Sequence, residues 1–155
     1  MKRSTIAKTF AIAAVTALAL GVAPTAKADN HKGCSNATLK GAFSHIGAGF
    51  TTAPPDMAGP FAGVGTDTFD GNGNITGAAT LSVNGNIVTA TESGTYKVNP
   101  DCTGTYTVQF PGGGSTRASF VITENANEVQ AICTDPGTVI KHIFRRQFPV
   151  GDWRE

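Results

Sequence analysis

Charge, helical periodicity and catalytic signatures are all scarce in this chain of 155 residues. Only 15% of it is charged, and its 12 basic residues are matched by 11 acidic ones, so no basic stripe marks a nucleic-acid or anionic-membrane partner. The one basic cluster, Lys141, Arg145 and Arg146, falls in a single C-terminal segment and reads as a solvated strand face. Apolar residues do not recur at helical spacing over any useful length, which leaves helical bundles and α/β folds without support. There is no Gly-x-Ser-x-Gly elbow, no phosphate-cradling loop and no Cys-x-x-Cys, and the three histidines are dispersed. Hydrolase, nucleotide-binding and zinc-site readings therefore lack their motifs, and neither a cofactor nor a metal ligand set is expected. No linker divides the chain.

One long apolar run is present, Phe10 to Ala23, and at 14 residues it is short of the ~20 a spanning helix needs. Lys2, Arg3 and Lys8 precede it and Ala26-Lys27-Ala28 follows it, which is the three-part layout of a secretory signal. Residues 1–28 are accordingly read as a signal peptide and 29–155 as a single domain, secreted or periplasmic, with no membrane span in the mature chain. Cleavage after Ala28 leaves eight basic against 11 acidic residues, a net charge of −3.

An oxidising compartment lets disulfides persist, and three cysteines leave one over. Cys34 lies near the mature N-terminus and Cys102 lies in a turn, where a covalent tie restrains most. Cys133 continues the apolar alternation Val129, Ala131, Cys133 and reads as a buried small hydrophobe. Cys34–Cys102 is the first expectation and Cys102–Cys133 the second.

What the chain does have is a repeated period of two. Gly94 to Val98 and Gly104 to Val108 are near copies, Gly-Thr-Tyr-Lys-Val and Gly-Thr-Tyr-Thr-Val, on either side of Asn99-Pro100-Asp101-Cys102-Thr103, the pattern of a hairpin. The same grammar gives eight strands: Leu39 to Phe50, Phe61 to Phe69, Asn74 to Val83, Ile87 to Val98, Thr103 to Phe110, Thr116 to Glu124, Glu128 to Cys133 and Val139 to Phe148. Gly and Asn in Asp70-Gly71-Asn72-Gly73 and Asn84-Gly85 accept the positive φ of hairpin turns. Asp70 to Asn74 also matches the start of a calcium loop, but the distal glutamate and the flanking helices are missing. Thr51 to Pro60, holding Pro54, Pro55 and Pro60, is the only longer connection and is expected to interrupt a central strand. Eight antiparallel strands with short connections describe an all-β protein, a single eight-stranded antiparallel up-and-down β-barrel, since closure removes both edges. A two-sheet sandwich is the alternative.

One parity of each strand carries the apolar side chains, including Phe43, Phe61, Phe69, Ile75, Leu81, Val88, Tyr96, Tyr106, Phe120, Val129 and Phe144. The other is rich in Thr, Ser and Asn, as a barrel with a dry interior requires. His45, Asp67, Glu92, His142 and Arg146 break the rule by sharing the apolar parity. Pointing inward, they must pair, meet water or meet a ligand; a β-bulge or a strand end would instead turn them out.

Several blocks carry a resemblance: Cys34-Ser35-Asn36-Ala37-Thr38-Leu39-Lys40-Gly41, Phe69-Asp70-Gly71-Asn72-Gly73-Asn74, Gly94-Thr95-Tyr96 with Asn99 to Gly104, and Thr134-Asp135-Pro136-Gly137-Thr138. Together they resemble the recurring blocks of small secreted bacterial proteins of unknown function, and their number and order are similar to barrels of the calycin or allene oxide cyclase shape. The resemblance implies a fold and brings no activity with it, since the matched residues are turns and caps.

The functional expectation is a barrel that binds a small hydrophobic ligand inside. Phe43, Phe61, Tyr96, Tyr106, Phe120 and Phe144 would form its wall, and His45, Asp67, Glu92 and Arg146 would orient the guest. An isomerase or cyclase using His45 or Glu92 as acid or base in the same cavity is one alternative. A non-catalytic envelope or extracellular structural protein is another.

Overall fold

Short turns set the topology. The computed structural model describes residues 33–52, 55 and 58–147; the signal segment and the tail from Phe148 to Glu155 lie outside the described residues. Eight strands follow in order: β1 (Gly41–Thr51), β2 (Gly59–Phe69), β3 (Asn74–Val83), β4 (Asn86–Val98), β5 (Thr103–Gln109), β6 (Ser115–Thr123), β7 (Glu128–Cys133) and β8 (Thr138–Arg146). Each pairs antiparallel with its sequence neighbour, and β8 pairs with β1 from Phe43↔Arg146 to Thr51↔Thr138, closing the barrel. The register runs without a bulge in each pair, so parity holds along every strand.

β3 and β7 have the expected limits, and those of the other strands shift by one or two residues. Leu39 belongs not to β1 but to a 3-10 turn, Asn36–Leu39, that folds across one end of the barrel and buries the leucine completely. Gly59 and Pro60 are part of β2, although the prolines were expected to interrupt a strand there. Pro60 is tolerated because the Pro60 carbonyl, and so its missing N–H, faces past the end of β3, where Asn84 N donates to that carbonyl at 2.8 Å. Val88 faces the apolar side yet is exposed, because β4 outruns β5: residues 86–92 pair with β3 alone, and the pairing with β5 begins at Ser93.

The two ends differ. At the end holding the turns 70–73, 99–102 and 124–127, the 3-10 turn is locked down by side chains. Val98 N donates to Asn36 Oδ1 at 2.8 Å, Tyr96 OH donates to Asn36 O at 2.9 Å, and Gly71 N donates to Tyr96 OH at 3.0 Å. The Cys34–Cys102 disulfide ties this segment to the β4–β5 turn and leaves Cys133 free and buried. Beneath it an aromatic cluster fills the interior, with Phe43 on Phe69 at 5.2 Å and Phe69 on Tyr96 at 5.0 Å, both edge to face. Each such buried ring contributes roughly 1.5–3 kcal/mol through area removed from water.

The Asp70 loop at the same end is the expected hairpin turn. Asp70 Oδ1 accepts from the amides of Asn72, Gly73 and Asn74 at 2.7, 3.0 and 2.9 Å, and Oδ2 accepts from Asn74 Nδ2 at 2.6 Å. Its carboxylate is thus consumed by its own turn, which needs Gly71 and Gly73 at φ +84° and +117°.

Candidate functional site

Above the aromatic cluster the interior is open. A cavity of about 430 Å³ reaches the other end of the barrel, bounded there by Phe110, Gly113 to Thr116, Asp135 and Pro136. Its walls are apolar, from Phe61, Ala79, Leu81, Val108 and Ile140, and its floor is polar, from His45, Asp67, Glu92 and His142.

Glycine makes that floor. On an inward-facing parity each residue lies opposite one neighbour on each adjacent strand, and here the polar residues face glycines: His45↔Gly65, Asp67↔Gly77, Gly77↔Glu92 and Gly47↔His142. A Cβ at Gly47 would sit 2.6 Å from His142 Nδ1, one at Gly65 would sit 2.8 Å from His45 Cε1, and one at Gly77 would collide with Asp67 Oδ1. The missing side chains let the polar ones lie sideways across neighbouring strands, where diagonal positions come within reach. His45 and Asp67 meet in this way, Asp67 Oδ2 accepting from His45 Nδ1.

The cluster is deep. Asp67 is 1% exposed and His45 6%. Among the described residues, Asp67 Oδ1 is a buried side-chain oxygen with no hydrogen-bond partner, an expensive state for a carboxylate atom. One ligand-capable atom from each of His45, Asp67 and Glu92 lies within 4.8 Å of the other two.

This crowding shapes protonation. Burial raises the pKa of Glu92, and the Asp67 carboxylate beside it, as proton acceptor and as like charge, raises it further, to about 8. For His45, burial acts to lower the pKa, but the Asp67 hydrogen bond and the charges of Asp67 and Glu92 outweigh it, so the ring is held above its ordinary value. His142 goes the other way: burial and the neighbouring His45 bring it down to about 4, so it is neutral at pH 7. Its ring lies 6.0 Å from that of His45, and its Nε2 is 3.6 Å from Cys133 Sγ. Burial first, then the Asp135 charge, push that thiol up to about 11, so it stays protonated. One face of the floor therefore holds a neutral carboxyl, a neutral imidazole and a thiol, and the other holds the His45–Asp67 pair.

Of the ten expected ligand contacts, the structure gathers His45, Phe61, Asp67, Glu92, Tyr106 and Phe144 on the cavity surface. Phe43, Tyr96 and Phe120 face inward too, but in the filled half below the floor. Arg146 is engaged elsewhere: its guanidinium donates to Lys40 O at 2.6 Å, Thr38 O at 3.2 Å and Ala126 O at 3.1 Å, and stacks 4.5 Å from the Phe43 ring centroid. It fastens the closed end, and the basic cluster is no single solvated face. Lys141 and Arg145 are exposed, Arg145 pairing with Glu128 at 3.0 Å. Cys133 and His142, both read from the sequence as inward, line the cavity although neither is among the expected ligand contacts, and the interior glycines are absent from the sequence reading; their signal is the shared parity in Gly47-Ala48-Gly49 and Gly63-Val64-Gly65.

No protein-family profile matches this chain, and no curated protein does. Among solved structures, the chain is similar to a de novo designed fluorescence-activating β-barrel at 12% identity, with a TM-score of 0.52 over 71% of this chain and 94% of that one. It is likewise similar to a redesigned β-barrel at 11% identity, with a TM-score of 0.52 over 73% and 95%. At such identities the likeness speaks for the fold: this chain is an all-β, closed, eight-stranded antiparallel barrel.

Proposed function

We propose that this protein is exported and holds a small, largely apolar molecule in its barrel, with the polar end of the guest resting on the floor made by His45, Asp67 and Glu92. The observation that carries the reading is a cavity closed at one end and open at the other, about 430 Å³ in volume, within the ~300–1,000 Å³ of small-molecule sites. An apolar wall supplies affinity, and a few convergent polar groups supply orientation. The Cys34–Cys102 bridge fits an oxidising compartment, in keeping with the signal-like segment 1–28 and with the resemblance to secreted bacterial barrels. Loss of residues 1–28 from the exported protein, read by intact mass, tests the export half.

The binding half is tested with a lipophilic dye that brightens in apolar surroundings, followed by displacement with a broad panel of small molecules. Binding should saturate at one dye per chain and should be abolished by Ala79→Trp, which fills the cavity. A flat response across dye and panel, or dye binding untouched by Ala79→Trp, removes the reading.

A catalytic version has one observation in its favour. Glu92 keeps its proton at pH 7, which suits a general acid in an isomerase or cyclase. Glu92→Gln would then abolish turnover while leaving affinity for the guest near its original value, whereas a simple binder loses affinity alone.

A further inference from the structure

We propose that His45, Asp67 and Glu92 form a site for one divalent first-row transition ion on the cavity floor. The inference goes beyond the apolar-guest reading and does not need it: the ion is held by the chain's own side chains whether or not the cavity is filled.

Three independent features point to a cation. The first is donor geometry. One ligand atom from each residue lies within 4.8 Å of the other two, whereas donors about 2.0–2.2 Å from one ion stand roughly 3–3.6 Å apart, so binding draws the widest-spaced pair in by about 1 Å, within the reach of side-chain rotation. The three come from β1, β2 and β4, and Gly77 on the intervening β3, opposite both Asp67 and Glu92, lacks the Cβ that would collide with Asp67 Oδ1. The second is the under-used oxygen: Asp67 is buried, and Oδ1 lies on the β3 side of the carboxylate, toward Glu92, in no hydrogen bond of ordinary geometry, so that the Glu92 proton alone competes with a cation for it.

The third is charge. Two other acids of the barrel have a basic partner, Glu128 with Arg145 at 3.0 Å and Asp135 with Arg117 at 2.8 Å, and Asp70 and Asp101 are satisfied by the amides of their own turns. Asp67 and Glu92 share only His45, and among the described residues lining the cavity there is no lysine or arginine. Two carboxylates in one low-dielectric site call for a dication or a retained proton.

The donor set selects the ion. One imidazole nitrogen and two carboxylate oxygens suit Zn²⁺, Co²⁺, Mn²⁺ or Fe²⁺, whereas Mg²⁺ and Ca²⁺ prefer oxygen ligands throughout and more of them. Three protein ligands with the fourth side facing the cavity make an open site, able to take a donor atom from a guest. On binding, the His45–Asp67 hydrogen bond is replaced by two bonds to the ion. The Nδ1 proton, and the proton on Glu92, pass to solvent.

The test uses the exported chain, disulfide intact, untagged and stripped with a chelator. Co²⁺ is titrated and followed by its visible absorption, and Zn²⁺ by calorimetry. One ion per chain is expected for both, with Mg²⁺ producing no response at the same concentrations. Glu92→Gln is close in shape and keeps the fold, and it should weaken Co²⁺ about tenfold or more; His45→Gln should do the same, while His31→Gln changes nothing. If Asp67→Asn fails to fold, the Glu92 and His45 variants still decide. Absence of one-to-one binding by both ions overturns the site. So does binding that survives in folded Glu92→Gln and His45→Gln, or that is lost in His31→Gln.

Discussion

Replacing Glu92 with glutamine keeps the shape of the protonated side chain and removes its titration, so stability as a function of pH should separate the two proteins. In the folded state the carboxyl is pushed up to about 8 by burial and by Asp67, against an ordinary value of 4.5. Between those pH values the unfolded chain has released the proton and the folded one has not. The folded state therefore binds more protons, and stability is greatest below 4.5 and falls as pH rises toward 8. The slope is at most about 1.4 kcal/mol per pH unit. Glu92 is only partly buried, and solvent screening brings the whole effect down to about 1–2 kcal/mol. His45, also raised, declines in the same direction as pH climbs above its ordinary 6.5; it is present in both proteins, so its contribution cancels in the difference except for the part of its shift that the Glu92 charge supplies. The assay is denaturant unfolding of chelator-treated protein at several pH values from 5 to 9. The proteins should match at pH 5, and Glu92→Gln should be the more stable at pH 8–9. Parallel curves across that range would refute a buried, proton-retaining Glu92.

Cys102→Ser opens a loop with a sequence separation of 68, worth about 4 kcal/mol of unfolded-chain entropy; a melting temperature lowered by less than ~5 °C would show that the closed end holds without the bridge. Gly104→Ala places a methyl against the Phe120 ring and the Lys97 carbonyl and should cost about 1–3 kcal/mol by overpacking, measured by urea unfolding. Asp70→Ala removes the acceptor for three turn amides and should lower the melting temperature at neutral pH. The Asp70 pKa is lowered to about 2 by its bonds to Asn74, Asn72 and Gly73, so its contribution is present above pH 3.8 and lost as pH falls toward 2. The gap between parent and Asp70→Ala should accordingly narrow in that window.

Much of this protein is written in one dimension. The period of two separates inside from outside, so Phe43, His45, Asp67 and Phe144 are legible as inward residues from parity alone. Gly and Asn at Asp70 to Gly73 and at Asn84-Gly85 fix the turns, and short turns in series fix the strand order. Closure follows because an open eight-stranded meander leaves two unpaired edges. Parity is silent about height along the barrel axis. Tilt and stagger between strands set that height, and they emerge only when β8 meets β1. Tertiary structure therefore decided that Arg146 reaches carbonyls at the closed end while Glu92, equally ionisable and equally inward by parity, reaches the cavity floor. It also decided that His45 and Asp67, which face Gly65 and Phe43 rather than each other, meet on a diagonal that glycines at 65 and 77 leave clear.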